Sequence, residues 1–298
     1  MAHSAKQVFF YQDDGYRIAA DLYQRKSGSP KVAIVFCHGY GATKDRIVAD
    51  LAAGLLDLAN VAILAFYYSG FGASEGPRAR LDPSREVRDV RNAVTWLAEK
   101  IPGVPIVLWG ISFGGPIAVD AASRDERVAG MVDIALFTSG AQWMRDLRPN
   151  WQWVEFQEAI AQDRKERMRT GVSRKVHPDW IMPRDPEAAA YNKKTLEEHP
   201  ELAFELDVAS AELIVEYEPL AHGHKLRGRP ALFIHCGRDL LMPTEYAWHA
   251  AEVTGGEVLI LEGVGHHEVY AGEPRKQALQ AIADWLHKRV LGKAGSEK

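Results

Sequence analysis

The chain has 298 residues, 47% hydrophobic and 26% charged, with a formal net charge of −4. This is the composition of a folded globular protein of one large domain, or of one domain with an insertion. Both signs of charge are scattered, without the basic patch that a nucleic-acid binder needs.

The N-terminal stretch has no apolar core of secretory-leader length, and no run approaches the ~18 apolar residues of a membrane helix. The expectation is a soluble cytoplasmic protein. Its only cysteines, Cys37 and Cys236, sit in apolar runs and read as buried free thiols. The first segment, QVFFYQDDGYRIAADLYQR, alternates and reads as two strands around Asp13-Asp14-Gly15. From Val32 the pattern changes to continuous apolar runs that end in turn residues. They are VAIVFCHG from Val32, VAILAFYYSG from Val61, VPIVLWG from Val104, VAGMVDIALF from Val128, PALFIHCG from Pro230 and GEVLILEGVG from Gly256. Such runs suit strands buried on both faces of a parallel sheet.

Amphipathic stretches separate the runs. KDRIVADLAAGLLDLA begins at Lys44, TEYAWHAAEVTG at Thr244 and PRKQALQAIADWLHKRVL at Pro274. In DPSREVRDVRNAVTWLAEK, Asp82 is placed to cap a helix and Pro83 to open it. The alternation predicts an α/β fold: a mostly parallel, open, twisted sheet with right-handed crossovers and helices on both faces. Residues 141–223 break the rhythm. They hold four of the eight tryptophans and helical patterns in NWQWVEFQEAIAQDRKERMRT and DPEAAAYNKKTLEEHPELAFELD, the latter interrupted at Pro200. The prediction is a helical cap at 141–223 over a core domain formed by 1–140 and 224–298; ordinary surface helices are the alternative. The last residues, GKAGSEK, read as frayed.

The chemistry centres on Gly110-Ile111-Ser112-Phe113-Gly114, between an apolar strand and a helix start. A serine hydroxyl is a poor nucleophile until a base takes its proton. A tight strand-to-helix turn exposes it, and only small neighbours fit around such a turn. The partners expected on such a sheet follow in the order acid, then histidine. Asp239 stands just past one strand, and His266 and His267 just past the next, all at the carboxyl edge where open parallel sheets bind ligands. Asp133, inside its own run, is the rival acid.

With these residues in place, the sequence resembles a serine hydrolase of the α/β-hydrolase superfamily over nearly the whole chain except the insertion. The resemblance implies Ser112 as nucleophile, Asp239 (in Gly237-Arg238-Asp239, with Pro243 following) as acid and His266 (in Gly263-Val264-Gly265-His266) as base. His267 becomes a neighbour that shapes the pocket. HGYGATKD, from His38 to Asp45, is similar to the superfamily's oxyanion loop, which implies the backbone N–H groups of Tyr40 and Phe113 as oxyanion donors and His38 as a structural residue. One stretch departs from the pattern. Where many members carry an Asp and an Arg, this chain reads FYYSGFGASEG, with Tyr68 and Ser69 in their place, so the family's charge network is expected to be absent. Tyr67 or Tyr68 is then free to face the substrate or to stay buried.

The implied activity is hydrolysis of an ester, or a related acyl bond, of a small apolar or aromatic molecule through an acyl-enzyme, with no cofactor. A carbon–carbon hydrolase or lyase with the same triad, and a non-catalytic ligand-binding relative, are the alternatives. Tyr68, Trp143, Trp151 and Trp153 are candidate pocket walls, although tryptophans at helical spacing more often pack a core. His222, His224 and His249 lack carboxylates or thiols at metal-ligand spacing, so no metal is expected. GFGASEG lacks the Gly-Lys-Ser/Thr of a phosphate loop, so no nucleotide site is expected. The expected partner is a small-molecule substrate, with no nucleic acid or membrane, and a homodimer is left open.

Overall fold

The computed structural model describes residues 3–41, 47–198, 200 and 203–292. The chain opens with the expected hairpin, β1 (His3–Tyr11) and β2 (Arg17–Arg25), with Tyr11 opposite Arg17. The apolar runs become β3 (Val32–Cys37), β4 (Val61–Phe66), β5 (Ile106–Ile111) and β6 (Val128–Ile134). Two-residue strands β7 (Lys175–Val176) and β8 (Leu206–Asp207) pair within the insertion. The last two runs are β9 (Ala231–Cys236) and β10 (Glu257–Leu261). The large sheet has the order β1-β2-β4-β3-β5-β6-β9-β10, antiparallel at β1-β2 and β2-β4 and parallel elsewhere. Every residue of β3, β4, β5 and β9 is buried, which is why these strands read as unbroken apolar runs.

Helices α1 (Ile47–Leu58), α2 (Pro83–Lys100) and α3 (Gly114–Arg124) connect the first parallel strands. Asp82 caps α2 as expected: its carboxylate accepts from the Ser84 and Arg85 amides at 3.1 and 3.2 Å. The expected start of α1 at Lys44 falls outside the described residues, as do Lys293–Lys298 of the tail. The chain leaves β3 toward β4, on one side, and leaves β5 toward β6, on the other. With right-handed crossovers, α1 and α2 therefore cover opposite faces, and the loops after β3 and β5 diverge over a topological switch point. That crevice is where an open α/β sheet offers a site.

Between β6 and β9 lie α4 (Gly140–Asp146), α5 (Asn150–Thr170), α6 (Pro178–Ile181), α7 (Pro186–Glu198) and α8 (Val208–Val215). The helical reading of this region holds, with the small β7-β8 ladder as an addition that two-residue strands leave no pattern to reveal. α5 runs over the full stretch read as helical and ends at Gly171 with φ +75°. The insertion is tied to the core at its edge. The Asp207 amide donates to Ala79 O at 2.7 Å, Arg80 pairs with the Asp207 carboxylate at 3.0 Å, and the Leu81 amide donates to Ser210 Oγ at 3.0 Å. After β9, α9 (Glu245–Thr254) leads to β10, and α10 (Gly272–Trp285) closes the core and packs against α1.

Arg148 organises the segment that faces the core. Its guanidinium donates to Met144 O at 2.7 Å, to Trp180 O at 2.9 Å and to Ile181 O, and it lies 3.8 Å over the Phe156 ring. Burial pulls its pKa down to about 10, so it stays charged at neutral pH. Arg148→Leu leaves these carbonyls without their donor. The expected outcome in chemical denaturation is a loss of about 2–4 kcal/mol with the sheet intact by circular dichroism.

Candidate active site

Ser112 closes the turn from β5 to α3 with φ +50°, a left-handed conformation rare outside glycine. Its amide donates to Ile134 O on β6 at 2.7 Å, and its carbonyl accepts from the Gly115 amide at 2.9 Å. The flanking glycines are required by contact. A Cβ on Gly110 would come within 2.6 Å of Gly115 Cα, and one on Gly114 within 2.0 Å of Cys37 O. Helix α3 therefore packs directly on the ends of β3 and β5, and the turn has no room to relax. This is the steric demand read from the sequence.

The loops after β9 and β10 bring the expected partners. His266 Nε2 lies 3.1 Å from Ser112 Oγ, and His266 Nδ1 lies 2.6 Å from Asp239 Oδ2. The other Asp239 oxygen accepts from the Leu241 and Met242 amides, each at 2.8 Å. Burial would raise the Asp239 pKa, but the adjacent His266 and these amides outweigh it and hold the carboxyl below its ordinary range. An ionised Asp239 fixes the Nδ1–H tautomer of His266 and leaves Nε2 to accept the serine proton. Two residues not singled out in the sequence lock this arrangement. Glu268 accepts from the Gly265 amide at 2.7 Å and from Arg238 at 2.8 Å, and Arg238 also donates to Gly263 O at 2.8 Å. The loops after β9 and β10 are thus bonded to each other. Asp133, the rival acid, stays inside β6; it accepts from the Leu136 amide at 2.9 Å and lies 3.9 Å from buried His235.

The loop after β3 runs beside the Ser112 turn. A Cβ on Gly39 would lie 3.3 Å from Ser112 Cβ, so the backbone leading to Tyr40 passes against the nucleophile turn. Phe113, the residue after Ser112, caps α3. Tyr40 donates its hydroxyl to Pro178 O, at the start of α6, at 3.0 Å. Ala42–Asp45 of HGYGATKD lie outside the described residues. His38 is buried and packs edge-on against Tyr68, with ring centroids 4.4 Å apart.

Between the carboxyl edge of the sheet and the segment that joins β6 to β9 lies a cavity of about 160 Å³ that reaches Ser112 and His266. Its apolar wall is Ile47, Ile111, Met182, Leu196, Phe204 and Leu241, and its polar wall includes Arg184, Tyr191, Asn192, His267 and Tyr270. His267 lines the pocket as expected. Four other expected walls do not. Tyr68 is 2% exposed and turns inward between His38 and Phe66, because it follows β4 on the core side. Trp143 is fully buried: it stacks on Phe137 at 4.3 Å and its indole N–H donates to Leu241 O at 3.0 Å. Trp151 is 61% exposed, on the solvent face of α5. Trp153 packs on Phe156 within the cap. The pocket is walled instead by Met182, Arg184, the α7 face Tyr191-Asn192-Thr195-Leu196, and Phe204. The only signal for that face is the four-residue spacing of Tyr191 with Thr195 and of Asn192 with Leu196.

Near Ser69 the structure shows a carboxylate from elsewhere in the chain. The Ser69 amide and hydroxyl both donate to Asp89 Oδ2 at 2.8 Å, so helix α2 supplies a carboxylate that the loop lacks. Among the described residues, no group of three His, Cys, Asp or Glu side chains is placed to hold a metal, and no helix is long and apolar enough to cross a membrane.

A left-handed serine at the β5–α3 turn of a mostly parallel sheet, with histidine and aspartate from its last two strands, defines the class: the chain is an α/β hydrolase. Residues 28–272 match the family described as serine aminopeptidase, S33, and the chain belongs to that family. It is similar to an Escherichia coli protein described as the uncharacterized 31.7 kDa protein in the traX-finO intergenic region, with 26% identity over 86% of this chain and 91% of the other. It is 36% identical to human monoglyceride lipase over 42% of this chain and 43% of the lipase. The crystal structure of the α/β hydrolase GrgF from Penicillium sp. sh18 superposes with a TM-score of 0.79 at 23% identity, covering 96% of this chain and 99% of that one. At that identity the likeness is one of fold.

Asp89 gives this region a pH signature. Burial lifts its pKa from 3.8 to about 6 against the pull of the two Ser69 bonds. The folded state therefore binds this proton more tightly than the unfolded chain, and the Asp89 contribution to stability falls as pH rises from about 4 to about 6. In Asp89→Asn that loss is absent. Urea denaturation at pH 4 and at pH 7 is expected to show the variant gaining on the wild type at the higher pH.

Proposed function

We propose that the protein is a serine hydrolase that cleaves carboxylic esters of small, largely apolar molecules through an acyl-enzyme. The observation that carries this reading is the hydrogen-bonded line Asp239–His266–Ser112, opening on a pocket with an apolar wall. His266 takes the Ser112 proton as Oγ attacks the carbonyl carbon, and Asp239 stabilises the imidazolium that forms. The Tyr40 and Phe113 amides receive the oxyanion, an interaction whose loss typically costs ~10²–10³ in rate. His266 then protonates the leaving oxygen, the carbon–oxygen bond breaks, and an alcohol departs. Water, deprotonated by the same imidazole, attacks the acyl-enzyme and releases the acid and free Ser112.

Membership in a hydrolase family and the likeness of part of the chain to monoglyceride lipase support hydrolysis of an ester. A thioester fits the same machinery, since only the leaving atom differs. The test is a series of p-nitrophenyl esters of increasing acyl length, together with a fluorophosphonate probe mapped by mass spectrometry. Label on Ser112, and a fall in kcat of ~10³-fold or more in Ser112→Ala, are expected. Asp239→Asn is expected to fall by ~10⁴ through the wrong imidazole tautomer. An unlabelled Ser112, or turnover that survives Ser112→Ala, overturns the proposal.

A further inference from the structure

Helix α5 carries apolar residues on two opposite faces, and the fold covers only one of them. On the inner face, Trp153 and Ile160 pack against the core, Phe156 is buried under the Arg148 guanidinium, and the buried Asp163 carboxylate accepts from Arg167 at 2.7 Å and from Ser173 at 2.9 Å. The outer face carries Trp151, Val154, Glu158, Ala161, Lys165 and Met168, spaced alternately by three and four residues, and all six are exposed. That spacing keeps six side chains on one seam of a helix. Trp151 is 61% exposed, Val154 53% and Met168 80%. A single exposed apolar side chain is ordinary, but three large ones along one seam mark an interaction surface.

The charges on the seam say what covers it. Most basic residues of α5 are already paired within the chain: Arg164 with Glu216 at 3.0 Å and with Glu212, Arg167 with Asp163 at 2.7 Å, and Arg169 with Glu166 at 3.9 Å. Glu158 and Lys165 have no ion-pair partner among the described residues. They are seven residues apart, two turns along the same face, too far to meet each other. A second α5 laid antiparallel on the first joins them. With the two-fold axis near the middle of the helix, Trp151 meets the partner subunit's Met168, Val154 meets the stem of the partner subunit's Lys165, and Glu158 meets the partner subunit's Ala161. Glu158 of each copy then stands one turn from Lys165 of the other, and the symmetry makes this contact twice. The small Ala161 near the axis lets the two helices approach closely. A parallel pairing in register sets Glu158 on Glu158 and Lys165 on Lys165, which like charge opposes.

We propose that α5 is the contact helix of a homodimer, in which two copies of the chain pack antiparallel along the seam from Trp151 to Met168, with orientation set by Glu158 and Lys165. None of the six residues lines the Ser112 cavity, so the inference stands apart from the hydrolase reading. A helix of 21 residues is about 31 Å long, which makes this a small interface. The dimer is accordingly weak, with a dissociation constant on the order of 10 µM.

The test is sedimentation velocity of the full chain from about 1 to about 300 µM, a range that brackets the expected constant. The wild type is expected to pass from monomer to dimer across it. Trp151→Glu, on the exposed seam, is expected to weaken the dimer by roughly a hundredfold. Glu158→Lys alone and Lys165→Glu alone each set like charges together and are expected to weaken it by roughly tenfold. The double variant Glu158→Lys/Lys165→Glu exchanges the two charges and is expected to restore the wild-type constant. That rescue carries the reading, because a damaged fold is not repaired by a second charge reversal two turns away; circular dichroism of each variant checks that the helices are intact. A chain that stays monomeric to the highest concentration overturns the proposal. So does a dimer that survives Trp151→Glu, or a double variant no tighter than the single ones. A monomer that instead binds phosphatidylcholine–phosphatidylglycerol vesicles through Trp151 also overturns it, and assigns the seam to a lipid surface.

Discussion

The backbone of Ser112 is the constraint on which the rest of the structure depends. A non-glycine residue at φ +50° persists only where its surroundings leave no alternative. Here the alternatives are removed from three sides. β6 takes the Ser112 amide, the Gly115 amide takes its carbonyl, and the end of β3 lies so close to Gly114 that no side chain fits. The strain projects the hydroxyl out of a fully buried strand and places it at the start of α3, whose free amides favour negative charge. Parallel strands with every residue buried supply the rigidity that holds such a turn in place.

The rest of the site is added to that turn by two loops that are themselves joined. Glu268 and Arg238 bridge the loops after β9 and β10, so the position of Asp239 is tied to that of His266. The oxyanion loop is tied upward as well, through the Tyr40 hydroxyl on Pro178 O, to the segment that Arg148 holds by its carbonyls. The pocket is thus bounded below by a rigid turn and above by helices fixed through backbone carbonyls.

How much was legible in the sequence follows from the same physics. Strands buried on both faces must be apolar throughout, so the six runs from Val32 onward stand out, and their helices stand out by contrast. Gly110, Ser112 and Gly114 are legible because the turn excludes other sizes, and Asp239 and His266 because strand ends at one sheet edge are positions of known chemistry. The pocket walls were not legible. A tryptophan carries size but no direction: Trp143 pairs with Leu241 O beneath the site, while Trp151 faces solvent. Tyr191 and Asn192, which do line the pocket, sit in a polar helix that reads as a solvated face. Asp89 was silent for a similar reason, since one carboxylate among the charges of α2 gives no sign that it turns inward to Ser69. Tyr68 follows the apolar run by two residues, and nothing local says on which side of the sheet its ring lies.

The connection between β6 and β9 has a consequence for how the molecule comes into being. These neighbouring strands enclose the whole cap between them in the chain. Closing so long a loop is entropically slow compared with pairing β3, β4, β5 and β6, whose connections are shorter. The half that carries Ser112 is also synthesised first, and domains assemble in the order in which the ribosome delivers them. The contacts that set Ser112 in its turn, from β3, β6 and α3, all lie in that first half. The groups bonded in line with the Ser112 hydroxyl, His266 and behind it Asp239, are supplied by the loops after the last two strands of the chain.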